Sequence, residues 1–85
     1  MEPIGFSFLS RWKEELVCSS DRGSFVLVFA MGRPTVYLPS QERWSKIGPK
    51  WARQAWAELH DQLRVWCERE GVCLVVDDES GLYEL

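Results

Sequence analysis

Histidine is nearly missing from this chain: His60 is the only one in 85 residues. Cysteine is scarce and odd in number, at Cys18, Cys67 and Cys73, with no C-x-x-C pair. Neither the ligand spacing of a zinc site nor the even count of a disulfide framework is there, so the thiols are expected to be reduced and cytoplasmic. Long apolar runs are lacking too, none approaching the ~18 residues that span a bilayer. Met1-Glu2-Pro3 has no basic character of a secretory leader, and an intracellular protein without membrane attachment is expected. No P-loop, G-x-G-x-x-G or G-x-S-x-G occurs, which removes the usual nucleotide-binding and hydrolase signatures. With four prolines, six glycines and 46% hydrophobic residues, the chain is neither collagen-like nor disordered. Its length suits one small domain over 1–85 with a modest core.

Charge is present in both signs but unevenly placed. The total is −3, whereas Arg33, Arg43, Lys46, Lys50 and Arg53 face only Glu42 within 33–53. From residue 54 onwards eight acids meet two arginines. A weakly acidic whole disfavours non-specific nucleic-acid or membrane binding, while a local basic site remains compatible with it.

Pattern supplies the fold. Ser24–Met31 (SFVLVFAM) has no polar face and reads as a central strand covered on both sides. Gly32-Arg33-Pro34 turns the chain into a second strand, Thr35–Leu38, closed by Pro39. Upstream, residues 10–19 carry two signals. Leu9, Trp12, Leu16 and Val17 recur at helical spacing, yet Glu14–Ser19 before Asp21-Arg22-Gly23 fits a hairpin strand, and the strand is preferred. Ile4–Phe8 suits a short edge strand.

Ser40 is placed to cap a helix, and Gly48-Pro49 interrupts or kinks it near Ile47. From Lys50 to Glu70, Ala52, Ala55, Trp56, Leu59, Leu63, Trp66 and Cys67 form one apolar face, and Gly71 suits the C-cap. Val72–Val76 is then a buried strand, followed by the turn Asp77–Gly81 and a tail, Leu82–Leu85. The expected fold is α+β, a two-layer sandwich. An antiparallel meander or hairpin leads into one long amphipathic helix and a C-terminal strand.

The candidate site is the aromatic-basic segment holding Arg43, Trp44, Lys46, Lys50, Trp51 and Arg53. Trp44, Ile47 and Trp51 also continue the apolar helical face, so packing is the first reading of the aromatics. Five tryptophans nonetheless exceed what so small a core accommodates in full, and at least one of Trp12, Trp44 and Trp51 is expected to face solvent or a partner. Tryptophan and arginine are enriched at interface hot spots. These residues point to a small non-enzymatic regulatory module that binds a protein partner or a second copy of itself. The alternative is a weak nucleic-acid-binding domain in which the same bases grip phosphate and an indole stacks on a base.

Catalysis has little to draw on. His60 lies about 10 Å along a helix from Cys67, beyond direct contact. Asp77-Asp78-Glu79 reads as a solvated turn rather than a cation site. No cofactor and no metal is expected.

Overall fold

The computed structural model describes residues 4–11 and 14–85. It contains six strands: β1 (Ser7–Arg11), β2 (Glu15–Ser20), β3 (Gly23–Ala30), β4 (Thr35–Pro39), β5 (Cys73–Asp77) and β6 (Leu82–Glu84). Between β4 and β5 lie α1 (Gln41–Ile47), a 3-10 turn (Lys50–Ala52) and α2 (Trp56–Glu70). The sheet runs β1-β2-β3-β4-β5, antiparallel until β5 joins β4 in parallel. β6 pairs with the first half of β3, on the edge that β4 follows along the second half. The α+β arrangement expected from sequence is the one present.

Helices cover one face of this sheet. Leu16 and Cys18 of β2, Phe25, Leu27 and Phe29 of β3, and Val36 and Leu38 of β4 share one side, against Trp44, Ala52, Leu59, Leu63 and Cys67. Strand alternation puts Val26 and Val28 on the other side, where Val28 is 47% exposed. The apolar run in β3 therefore does not mean helices on both faces. It means one face against the helices and one turned away from them, on which Val26 is buried among its sheet neighbours and Val28 is open. β5, expected to be buried, is an edge strand, and Val75 and Val76 are both exposed. The tail Leu82–Leu85 is not a tail: it supplies β6, and Leu85 donates a further backbone bond to Ser24.

The long helix expected from Lys50 is also divided. Ser40 caps α1, its Oγ accepting from the Arg43 N–H at 3.3 Å. Gly48 and Pro49 end that helix, and the chain makes one 3-10 turn before α2 starts at Trp56. Trp44 Nε1 donates to the Ala52 carbonyl at 2.9 Å, fastening the turn over the core. Apolar spacing continues across the break because the turn and α2 cover the same sheet. Gly71, at φ +70°, closes α2 in the left-handed conformation that favours glycine.

The buried thiols carry a measurable consequence. Burial, with the neighbouring Cys73 adding to it, pushes the Cys67 thiol up to about 11. Cys18 is raised further, mainly by burial. Cys73 alone is exposed. One of three thiols is thus expected to react promptly with Ellman's reagent at mildly alkaline pH, and the other two only on unfolding. A thiol raised by folding stabilises below its unfolded value, and that contribution is lost as pH rises. Thermal stability should accordingly fall from about pH 9 towards 11, as a pH series of melting curves would show.

Candidate interaction surfaces

The basic segment singled out from sequence is mostly engaged in holding its own fold. Trp44 is wholly buried, with its ring edge-on to Phe25 at 5.3 Å, so its indole belongs to the core and to no docking surface. The Arg43 guanidinium donates to the Ser80 carbonyl at 3.0 Å, tying α1 to the β5–β6 turn. Arg53 donates through Nε and Nη2 to the Gly48 carbonyl, at 3.2 and 2.7 Å, and so clamps the break between helices. Trp51 is half-buried over Phe6 and Phe25, and its indole lies 2.9 Å from where a Cβ on Gly23 would stand. Lys46 and Lys50 are exposed, Lys46 3.8 Å from Glu42. Arg43 and Lys46 border a hollow of about 300 Å³ in which Glu42 and Asp78 balance them. A hollow with two bases and two acids is a poor phosphate grip. Trp12 lies outside the described residues.

The remaining candidates from sequence also take structural roles. His60 lies flat against Trp56, ring centroids 5.0 Å apart, and Trp56 Nε1 donates to the Pro39 carbonyl. An Asp77 carboxylate oxygen accepts from the Glu79 N–H within the turn. Among the described residues no three His, Cys, Asp or Glu side chains gather to hold a metal ion, and no helix is long and apolar enough to cross a membrane.

A different surface is better formed. A groove of about 650 Å³ runs between β1 and α2, lined by Phe8, Val65, Trp66, Arg64, Arg69 and Asp61 among others. Phe8 and Trp66 meet at 5.9 Å to make its apolar floor. β1 is the outermost strand, and which of its backbone groups face outwards follows from register. The two-residue loop Asp21-Arg22 makes Ser20 and Gly23 the closing hydrogen-bonded pair of its hairpin. Alternation then directs the N–H and C=O of Leu16, Cys18 and Ser20 to β3, and those of Glu15, Val17 and Ser19 to β1. On β1, Ser7, Leu9 and Arg11 receive them, so the N–H and C=O of Phe8 and Ser10 point away from the sheet.

Gln62 of α2 confirms the direction independently. Its Oε1 accepts from the Phe6 N–H and its Nε2 donates to the Ile4 carbonyl, both at 2.8 Å. One side-chain amide thus completes the edge where the chain enters β1, in the manner of a neighbouring strand. The next outward-facing groups, on Phe8 and Ser10, have no such side chain among the described residues.

Charges of both signs border the groove, Arg64 and Arg69 with Asp61. Arg64 bonds Glu68 at 2.9 Å, while Arg69 has no carboxylate partner among the described residues. Sequence offered two faint signals for this site: Phe6, Phe8 and Ser10 alternate at strand period, and Val65 is an apolar residue on the solvent side of α2. Neither reveals that strand and helix stand side by side. Compared with known proteins, the chain matches no family model, no curated protein and no solved structure.

Proposed function

We propose that this protein is a non-enzymatic interaction module that captures an extended segment of a partner protein along β1. The incoming segment adds a strand to the sheet edge through the outward N–H and C=O groups of Phe8 and Ser10. Alternate side chains of that segment enter the groove, apolar ones against Phe8 and Trp66 and a carboxylate at Arg69. Strand addition to an exposed edge takes affinity from main-chain bonds and specificity from pockets for alternate side chains. The observation that carries this reading is the coincidence of an incomplete strand edge with a groove beside it. Because the whole chain carries −3, a segment with one acid among apolar residues fits better than a polyacidic one. The aromatic-basic segment 43–53 then supports the fold behind the site, through Trp44, Arg43 and Arg53.

Ser10→Pro is the direct test. Ser10 is exposed and its N–H points away from β2, so proline removes an edge donor without removing a ladder bond. Octapeptides selected on the wild-type protein from a random display library are expected to alternate apolar residues around an acid. They should bind Ser10→Pro at least about tenfold more weakly, a loss of roughly one hydrogen bond to a desolvated partner. Selection without enrichment, or equal binding by a folded Ser10→Pro protein, would overturn the reading.

A further inference from the structure

The sheet has a second open edge, β5, and register fixes which of its backbone groups are unused. The Cys73 N–H donates to the Pro34 carbonyl at 2.9 Å, and the Asp77 carbonyl accepts from the Ser40 N–H at 3.1 Å. In a parallel pair a bonded residue directs both its groups to the same neighbour, so Cys73, Val75 and Asp77 serve β4. The N–H and C=O of Leu74 and Val76 therefore point out of the sheet, and these four groups have no partner among the described residues. Side chains along this edge are apolar on both sides of the pleat. Val75 is 39% exposed on the face turned from the helices, and Val76 is 46% exposed on the helix side. Edge strands are ordinarily guarded by lysine, proline, a bulge or a covering group. β1 has such guards in Arg11 and in Gln62, which occupies the edge at Ile4 and Phe6. β5 has none: Leu74, Val75 and Val76 carry no charge, and the Asp77 carboxylate is turned onto the Glu79 N–H.

We infer that β5 pairs antiparallel with β5 of a second copy, so that one sheet runs through both chains. Three observations select that occupant. Unused main-chain groups in alternation call for a strand, and the side chains beside them call for one that is uncharged and apolar on both faces. Leu74-Val75-Val76 is itself such a strand. The free groups also allow a symmetric register. A two-fold axis at Val75 sets Leu74 of each copy opposite Val76 of the other, and the outward groups then make four bonds with none left over. An axis at Leu74 would instead oppose Val76 to Val72, whose N–H is already given to the Cys67 carbonyl. Finally, the acids leave the edge. β6 pairs with β3, two strands inward, so the chain turns back after Asp77, and Arg43 holds that turn at Ser80. Asp77 of each copy stands opposite Cys73 of the other, and like copies meet there without acid facing acid.

The register has a checkable geometry. Val75 faces Val75 of the other copy in a non-hydrogen-bonded pair, with Cα atoms about 4.5 Å apart. The two Val76 Cα atoms, each one residue from the axis, are about 8 Å apart. One pair of short strands makes a contact smaller than the ~1,600 Å² of a standard interface, so the dimer is expected to be weak and concentration-dependent. The β1–α2 groove lies at the opposite edge, and the dimer displays one at each end of the joined sheet. The inference does not depend on what the groove binds.

Moving the exposed thiol along the edge tests the register. Cys73→Ser is combined with Val75→Cys in one protein and with Val76→Cys in another, two similarly exposed positions. Under mild oxidation the first is expected to form a disulfide-linked dimer at least about tenfold faster than the second, because a disulfide needs Cα atoms within about 7 Å. Sedimentation velocity of the unaltered chain, from a few to several hundred micromolar, should show the mass rising from 9.9 kDa towards twice that value. Val76→Lys, which places an ammonium on the edge, is expected to weaken this association at least about tenfold while the circular dichroism stays the same. Ser10→Pro, on the other edge, should leave it unchanged. A monomer throughout, even one whose β5 takes up a foreign peptide, would overturn the inference. So would equal rates of cross-linking, or a dimer lost in Ser10→Pro and kept in Val76→Lys. Binding of peptides at β1 is read separately, so failure of one edge is not mistaken for failure of the other.

Discussion

Replacing Trp44 by alanine is expected to lower the free energy of unfolding by about 3–5 kcal/mol, the range for truncating a buried aromatic. The side chain is wholly buried, lies edge-on to Phe25 and donates a 2.9 Å bond to the Ala52 carbonyl. A domain of this length has about 4–13 kcal/mol in total. The loss therefore takes between about a quarter and all of that total, and the urea midpoint should fall in proportion. Urea denaturation followed by far-UV circular dichroism is the suitable measurement, because the substitution alters tryptophan fluorescence itself. Loss of the indole donor contributes less than loss of volume. The Ala52 carbonyl also accepts from the Ala55 N–H at 2.9 Å and is not orphaned when Trp44 is removed. A change below about 1 kcal/mol would mean that the turn Lys50–Ala52 collapses onto the vacated space at little cost.

Gly48→Ala is expected to be nearly as damaging, although it adds one methyl group. The site has φ −65° and ψ 154°, which alanine adopts without strain. The difficulty is space: a Cβ there would stand 2.7 Å from the Trp44 carbonyl oxygen and 2.8 Å from its indole ring. The carbonyl belongs to the helix backbone and accepts the Gly48 N–H, and the ring is enclosed on all sides, so neither yields cheaply. Overpacking of this kind costs about 1–3 kcal/mol, with the upper end expected where backbone must shift. Gly32→Ala is the control. A Cβ at Gly32 would meet nothing within 4 Å, so the substitution should be neutral or slightly stabilising. Equal urea midpoints for the two variants would show that the α1–turn junction is looser than its close contacts imply.

In the sequence Trp44 is an aromatic among bases, and Gly48 is the breaker before Pro49. The helical spacing of Trp44, Ile47 and Trp51 already favoured packing, and burial of Trp44 follows that spacing. The same spacing says nothing of where Arg43 and Arg53 end. Their guanidinium groups reach the Ser80 and Gly48 carbonyls, and one of those lies 37 positions away in the chain. Arginines that serve backbone carbonyls look in sequence like arginines that serve a ligand.

What local chemistry dictates was legible in the sequence. Gly32-Arg33-Pro34 made the hairpin turn, Ser40 capped α1, Gly71 closed α2, and the run in β3 had to be a strand near the middle of a sheet. Each depends on a few adjacent residues whose dihedral and hydrogen-bond preferences act alone. Residues 10–19 carry two signals in the sequence, because Leu9, Trp12, Leu16 and Val17 satisfy helical spacing while Glu14–Ser19 fits a hairpin strand. For residues 15–19, pairing with both β1 and β3 decides for the strand, and it is a non-local gain.

Only the tertiary structure decided which apolar surface is covered. Val28 and Leu9 are apolar like Phe25 and Leu27, and composition does not distinguish the residues that meet the helices from those left open. The number and length of helices determine that, and here they suffice for one side. Likewise, the outward-facing groups of Phe8 and Ser10 exist because no strand precedes β1 in the sheet order. The groove beside them exists because α2 crosses back to that edge. Local sequence settles the elements, since their energetics are short-ranged. Edges, open faces and grooves arise where packing between distant segments ends.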